Sequence, residues 1–214
     1  MFNVCPTCGE YRVDKIIQHT QDRTYAICPE CNHPHPFLQL PLFIVTGASG
    51  SGKSTLVLEL SSMTKDVVVM ETDILWDDRY NQPETNYRNY REMWLRMAKN
   101  IAQAGKPVVL CGTTVPEQLE DCEERRYFGE THYIALVCES SLLEERLKRR
   151  PTWRASGSDD FIKGMVGFNR WLIEQGPTCN PEIAALDTSQ DTPHETAIKL
   201  LAMIRQAAGI QPQP

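Results

Sequence analysis

The stretch Gly47-Ala48-Ser49-Gly50-Ser51-Gly52-Lys53-Ser54-Thr55 limits the fold of this chain more than any other. It follows the apolar run LFIVT and opens a segment of helical character, the strand-loop-helix setting that a GxxxxGK[ST] pattern requires. Glycines let consecutive backbone N–H groups curl around phosphate oxygens, and a helix N-terminus adds partial positive charge. In such a loop Lys53 reaches the β- and γ-phosphates and Ser54 ligates Mg2+. The whole run from Gly47 to Thr55 is therefore a candidate nucleotide-binding site, with Lys53 also catalytic. The competing reading, a glycine-rich turn and helix cap, does not explain the complete match in this setting.

From Pro41 onward, short apolar runs alternate with helical segments. LFIV leads to a helix from Ser54, VVVM to one near 87–104, and PVVLC to one near 116–126. YIALVC leads to helices at 140–150 and 159–175, and IAALD to a last one near 194–208. This alternation implies right-handed crossovers and a parallel sheet. The expected fold is α/β: a three-layer P-loop NTPase sandwich with a five-stranded parallel sheet over 41–210. Tyr90, Met93, Trp94, Met97 and Ile101 fall at helical spacing and are expected to face the core. Asn169, Arg170 and Trp171 are expected at the surface.

A different unit precedes this domain. Cys5-Pro-Thr-Cys8 and Cys28-Pro-Glu-Cys31 are two CxxC turns separated by 19 residues, the spacing of a zinc ribbon. Cys5, Cys8, Cys28 and Cys31 are the candidate Zn2+ ligands, and His33 and His35 are read as bystanders. Two short β-type runs lie between the turns, so residues 1–40 are expected to form a small β-type zinc ribbon held by metal rather than by an apolar core. The other cysteines, Cys111, Cys122, Cys138 and Cys179, are scattered; two of them lie in apolar runs, where a free thiol behaves as a small hydrophobe.

Composition narrows the class of partner. The formal net charge is −6, which disfavours nonspecific attraction to nucleic acid and leaves room only for a local basic groove. No stretch approaches the roughly 18 apolar residues of a membrane span, and the N-terminus lacks a secretory signal, so a cytoplasmic protein is expected. No [NT]KxD guanine-reading motif occurs late in the chain, and PVVLCGTT ends without the acid that hydrolytic ATPases use. Both omissions favour a kinase.

Residues 41 to about 208 resemble the P-loop nucleoside, nucleotide and small-metabolite kinases, the group that includes adenylate, shikimate and gluconate kinases. The resemblance rests on GASGSGKST, METDIL, RLKRRPTWR and LDTSQ. It implies that Asp73, just after the second strand, orients and deprotonates the acceptor, and that Glu71, one alternation earlier on the same strand face, supports Mg2+. The competing reading makes Asp73 a helix N-cap. It also implies an arginine lid formed by Arg146, Arg150 and Arg154. Glu144–Lys148 and Glu145–Arg149 are matched i,i+4 pairs, whereas Arg146 and Arg150 are a like-charge pair that a bound anion relieves. The segment LDTSQDTP falls where these kinases wrap the adenine, which favours ATP. Arg88 and Arg91 are candidate acceptor-binding residues. One departure is Cys111-Gly112-Thr113-Thr114, where nucleotide kinases of the group often carry an acidic residue.

The expected function is that of an ATP- and Mg2+-dependent kinase acting on a hydroxyl or phosphate of a small acceptor, first of all a nucleoside or nucleotide. Two alternatives stay open: a kinase of RNA or DNA ends, and a non-catalytic ATP-binding adaptor that docks a partner through the ribbon.

Overall fold

The computed structural model describes residues 2–151 and 156–211. Three short antiparallel strands, β1 (Ile16–His19), β2 (Thr24–Ile27) and β3 (Pro34–Phe37), form a small sheet in the order β1-β2-β3. The main sheet contains β4 (Leu42–Gly47), β5 (Val68–Glu71), β6 (Val108–Cys111), β7 (Thr131–Val137) and β8 (Ile183–Asp187). All its pairings are parallel, in the order β5-β6-β4-β7-β8. The central strands read as near-continuous apolar runs because both faces are covered, and every residue of β4 and β6 is buried.

Side chains of β4 alternate between two cores. Leu42 and Ile44 pack with Tyr90, Trp94, Leu95 and Ala98 of α2 (Arg88–Ala102) and Leu172 of α4 (Asp159–Glu174). Phe43 and Val45 pack with Leu56 and Leu60 of α1 (Lys53–Met63) and with Leu200 and Ile204 of α5 (Pro193–Ala208). These are the three layers. Leu143 and Leu147 of α3 (Ser140–Lys148) join Ala48 and Ile162 in a third cluster under the phosphate loop. Among the described residues, no helix is long and apolar enough to cross a membrane.

Three expectations need correction. Residues 116–126 do not form one helix; they make two short 3-10 turns, Pro116–Gln118 and Glu123–Tyr127. The Glu92 carboxylate accepts from the backbone N–H groups of Glu123 (2.6 Å) and Glu124 (3.0 Å), taking donors that a continuous helix would use internally. Asn169 is fully buried rather than at the surface. Its amide donates to the Cys138 carbonyl (2.8 Å) and its carbonyl accepts from the Cys138 N–H (3.2 Å), satisfying backbone where β7 leaves the sheet. Arg170 is exposed, and Trp171 is half-buried and stacked on Phe168.

Residues 1–40 are not held by cysteine chemistry alone. Phe2, Ala26 and Phe37 form an apolar cluster with Tyr127, which precedes β7, and the Phe2 and Tyr127 rings meet edge to face at 5.0 Å. The Tyr127 hydroxyl also donates to the Val13 carbonyl at 2.5 Å.

Candidate active site

The carboxyl ends of β4, β5, β6 and β7 gather most of the residues singled out by the sequence, as ligand sites in open α/β sheets do. The loop after β4 needs its glycines. Gly50 and Gly52 adopt φ of 91° and 103°, and a Cβ on Gly47 would lie 2.6 Å from Ser51 Oγ and 2.7 Å from the Leu136 carbonyl oxygen. Lys53 Nζ donates to the carbonyls of Gly47 (2.7 Å) and Ala48 (3.1 Å), so the ammonium is folded against its own loop. Burial pushes its pKa down to about 8, with Asp73 opposing that shift and Arg150 adding to it. The Ser54 hydroxyl donates to the Glu71 carboxylate, which brings together the two oxygen ligands proposed for Mg2+.

A cavity of about 550 Å³ opens above this loop. Ser49 to Thr55, Asp73, Arg146 and Arg150 line it, and Thr188, Asp191 and Pro193 from the LDTSQDTP segment close one side. Arg146 donates to the Thr188 carbonyl at 3.2 Å and lies 3.4 Å from its hydroxyl. The flanking pairs Glu144–Lys148 and Glu145–Arg149 both form. Arg154 lies outside the described residues.

A second cavity, of about 320 Å³, adjoins the first. Its walls carry Trp76, Tyr87, Tyr90 and Phe168, with Arg91, Gln118 and Asn81 among the polar groups. Asp73 and Thr113 line both cavities. Asp73 is exposed and belongs to the 3-10 turn Thr72–Leu75. Two expectations change here. The cap of that turn is Glu71, so Asp73 is not an N-cap; and β5 ends at Glu71, so the two acids do not share a strand face.

Arg91 is 7% exposed. Its guanidinium donates to Thr114 Oγ1 (2.7 Å), the Thr113 carbonyl (2.9 Å) and Gln118 Oε1 (3.2 Å), all neutral groups, and Nε has no hydrogen-bond partner. Burial lowers its pKa. Arg88 is drawn elsewhere: it donates to the Asp121 carbonyl (2.7 Å), pairs with Glu92 and lines neither cavity.

Two features at the junction escaped the sequence reading. The Tyr90 hydroxyl donates to the Thr72 carbonyl at 2.5 Å, pinning the turn that presents Asp73. Gly112 lies so close to the same turn that an added Cβ would sit 1.9 Å from Thr72 Oγ1. A glycine ending an apolar strand is the signal that marks such an approach. Gly112→Ala is expected to destabilise the fold by about 1–3 kcal/mol, read as a lower midpoint of urea unfolding.

The four ribbon thiols lie within 4.8 Å of one another. Cys5 Sγ and Cys31 Sγ are 3.6 Å apart, and Cys8 Sγ and Cys28 Sγ 3.8 Å. A tetrahedron with Zn–S bonds of about 2.3 Å has edges of about 3.8 Å, so this set fits zinc.

Residues 44–160 match a family of P-loop proteins described as an AAA domain. The chain belongs to that family. No curated protein matches its sequence. Solved structures share its fold at low identity. A sugar kinase from Janibacter sp. HTCC2649 is 14% identical with a TM-score of 0.55, over 82% of this chain and 100% of that one. A gluconokinase from Sinorhizobium meliloti 1021 is 20% identical with a TM-score of 0.54, over 80% and 96%. A shikimate kinase from Acinetobacter baumannii, solved with shikimate, is 15% identical with a TM-score of 0.50, over 79% and 94%. The family member described here thus has the fold of the P-loop small-metabolite kinases.

Proposed function

We propose that this protein is an ATP-dependent phosphotransferase that moves the γ-phosphoryl group to a hydroxyl of a small acceptor, a nucleoside or nucleotide. The observation that carries this reading is the position of Asp73 on the wall common to the two cavities. A donor in the larger cavity and an acceptor in the smaller one would meet at that carboxylate. In this reading residues 41–210 form the transferase domain and 1–40 a zinc ribbon.

Backbone N–H groups of Gly47 to Thr55 cradle the phosphates, and Lys53 leaves its loop carbonyls to follow the β- and γ-oxygens. Ser54 and Glu71 would hold Mg2+, which when bound would supply charge neutralisation to the triphosphate. Asp73 accepts the proton of the attacking hydroxyl. Arg146, Arg150 and Arg154 offset charge on the transferring group.

The neighbours' names mention sugar, gluconate and shikimate. A polyol asks for many free hydrogen-bonding groups, yet Thr114 Oγ1 and Gln118 Oε1 are already engaged by Arg91. Four aromatic side chains instead suit a flat ring. Arg91, a buried cation bonded to neutral groups, favours an acceptor that brings an anionic or carbonyl oxygen.

The test is ADP release with ATP and Mg2+ against nucleosides, nucleoside monophosphates, sugars, shikimate-like acids and 5′-hydroxyl oligonucleotides. The expected result is stimulation above the water rate by nucleosides or nucleotides. Stimulation by sugars alone would correct the acceptor, stimulation by oligonucleotides alone would favour end-directed chemistry, and no stimulation at all would leave a non-catalytic ATP binder.

A further inference from the structure

The ribbon has no part in the chemistry proposed above, yet it is bonded to both elements that supply walls of the smaller cavity, at points away from the cavity itself. One wall is the start of α2, with Tyr87, Tyr90 and Arg91; the other is the segment from Thr113 to Gln118. The far end of α2 carries Lys99, and the turn that follows the second wall carries Glu124. Between them sits Asn3, two residues from Cys5. The Asn3 side-chain carbonyl accepts from Lys99 Nζ, and its amide donates to Glu124 Oε1 at 3.2 Å. Lys99 also pairs with Glu124. Asn3, Lys99 and Glu124 are 2%, 1% and 0% exposed, so each offsets part of the others' desolvation, with Arg96 also donating to Glu124 at 2.8 Å.

We propose that the zinc ribbon is an intramolecular clamp that holds these two walls together, so that loading of Cys5, Cys8, Cys28 and Cys31 sets acceptor affinity and leaves ATP binding unchanged. The proposal rests on the reading of the smaller cavity as the acceptor site. The cysteine turn fixes Asn3 directly: Arg12 N–H donates to the Asn3 carbonyl and Cys5 N–H to the Glu10 carbonyl, both at 2.9 Å. Phe2, on the other side of Asn3, is held in the cluster with Tyr127, so losing the metal frees Asn3 on its Cys5 side and weakens one of several ties between the walls, beside those made by Arg91 and Glu92. Lys99 and Arg91 stand about 12 Å apart on one rigid helix, which carries the loosening to the pocket. Among the described residues, none from α2 lines the larger cavity, and of the second wall only Thr113 reaches it, so the clamped elements belong mainly to the acceptor side.

Backbone hydrogen exchange on the full chain tests this without any acceptor. Zinc-loaded protein is compared with protein stripped by a zinc-selective chelator, and with zinc-loaded Asn3→Ala. Exchange over 88–102 and 113–127 is expected to rise about tenfold in both, with 47–63 unchanged and zinc readdition restoring the stripped protein. Affinity for a nonhydrolysable ATP analogue with Mg2+ should stay within about twofold, while the KM of any acceptor that stimulates ADP release rises about tenfold. Faster exchange confined to 1–40, or spread equally through 47–63, overturns the clamp. If no acceptor stimulates turnover, the phosphotransferase reading fails, and the exchange pattern still decides whether the ribbon clamps the walls.

Discussion

Asp73→Asn is expected to lower kcat for acceptor phosphorylation by about 10^2- to 10^4-fold, the usual worth of a positioned general base. The dissociation constant for ATP should change by less than about twofold. The substitution keeps shape and removes only charge and basicity. Asp73 is exposed on a turn held by other groups, the Tyr90 hydroxyl at the Thr72 carbonyl and the close contact of Thr72 with Gly112, so folding should survive it. Steady-state ADP release gives kcat, and calorimetric titration with ATP and Mg2+ gives the affinity. An equal fall in both would assign Asp73 to ATP binding rather than to the acceptor.

Lys53→Met should act on the other substrate. Loss of the ammonium is expected to cost about 10^2- to 10^3-fold in kcat/KM, as for removal of a preorganised charge donor, and to weaken ATP binding. In the free protein Lys53 is held down at about 8 by burial. The protonated form binds the triphosphate, so affinity should be flat below pH 8. Above it, affinity should fall by about tenfold per pH unit as the ammonium is lost. Lys53→Met should abolish that dependence. Calorimetric titrations from pH 6.5 to 9.5 check both points; a Lys53→Met variant that keeps the alkaline loss would place the titrating group elsewhere.

The sheet and the phosphate loop were legible because their signals are local. Apolar runs such as LFIVT announce buried parallel strands, and the glycine pattern announces the backbone path that φ of 91° and 103° at Gly50 and Gly52 follow. Asp73 was legible as an acid placed just after a strand, though its strand-face relation to Glu71 was not, because the chain turns at Thr72. What escaped depends on partners distant in sequence. Tyr90 keeps helical core spacing and is 3% exposed, so the spacing is truthful, but the bond of its hydroxyl to Thr72 is written nowhere near it. Asn169 reads as a polar surface residue until the Cys138 backbone meets it. Residues 116–126 have helical character that the Glu92 carboxylate, on another helix, overrides. The gathering of four thiols in the ribbon was legible from the two CxxC turns, but its burial against Tyr127 was not, since neither Phe2 nor Tyr127 carries a motif.

Isotope transfer distinguishes passage of the γ-phosphoryl group to an acceptor from its passage to water. The protein is incubated with γ-32P-labelled ATP, Mg2+ and the acceptor panel, and the products are separated. The predicted result is label in a phosphorylated nucleoside or nucleotide, in amounts equal to the ADP formed and lost with Asp73→Asn. Label that stays in ATP, or emerges only as inorganic phosphate with every acceptor, would contradict it.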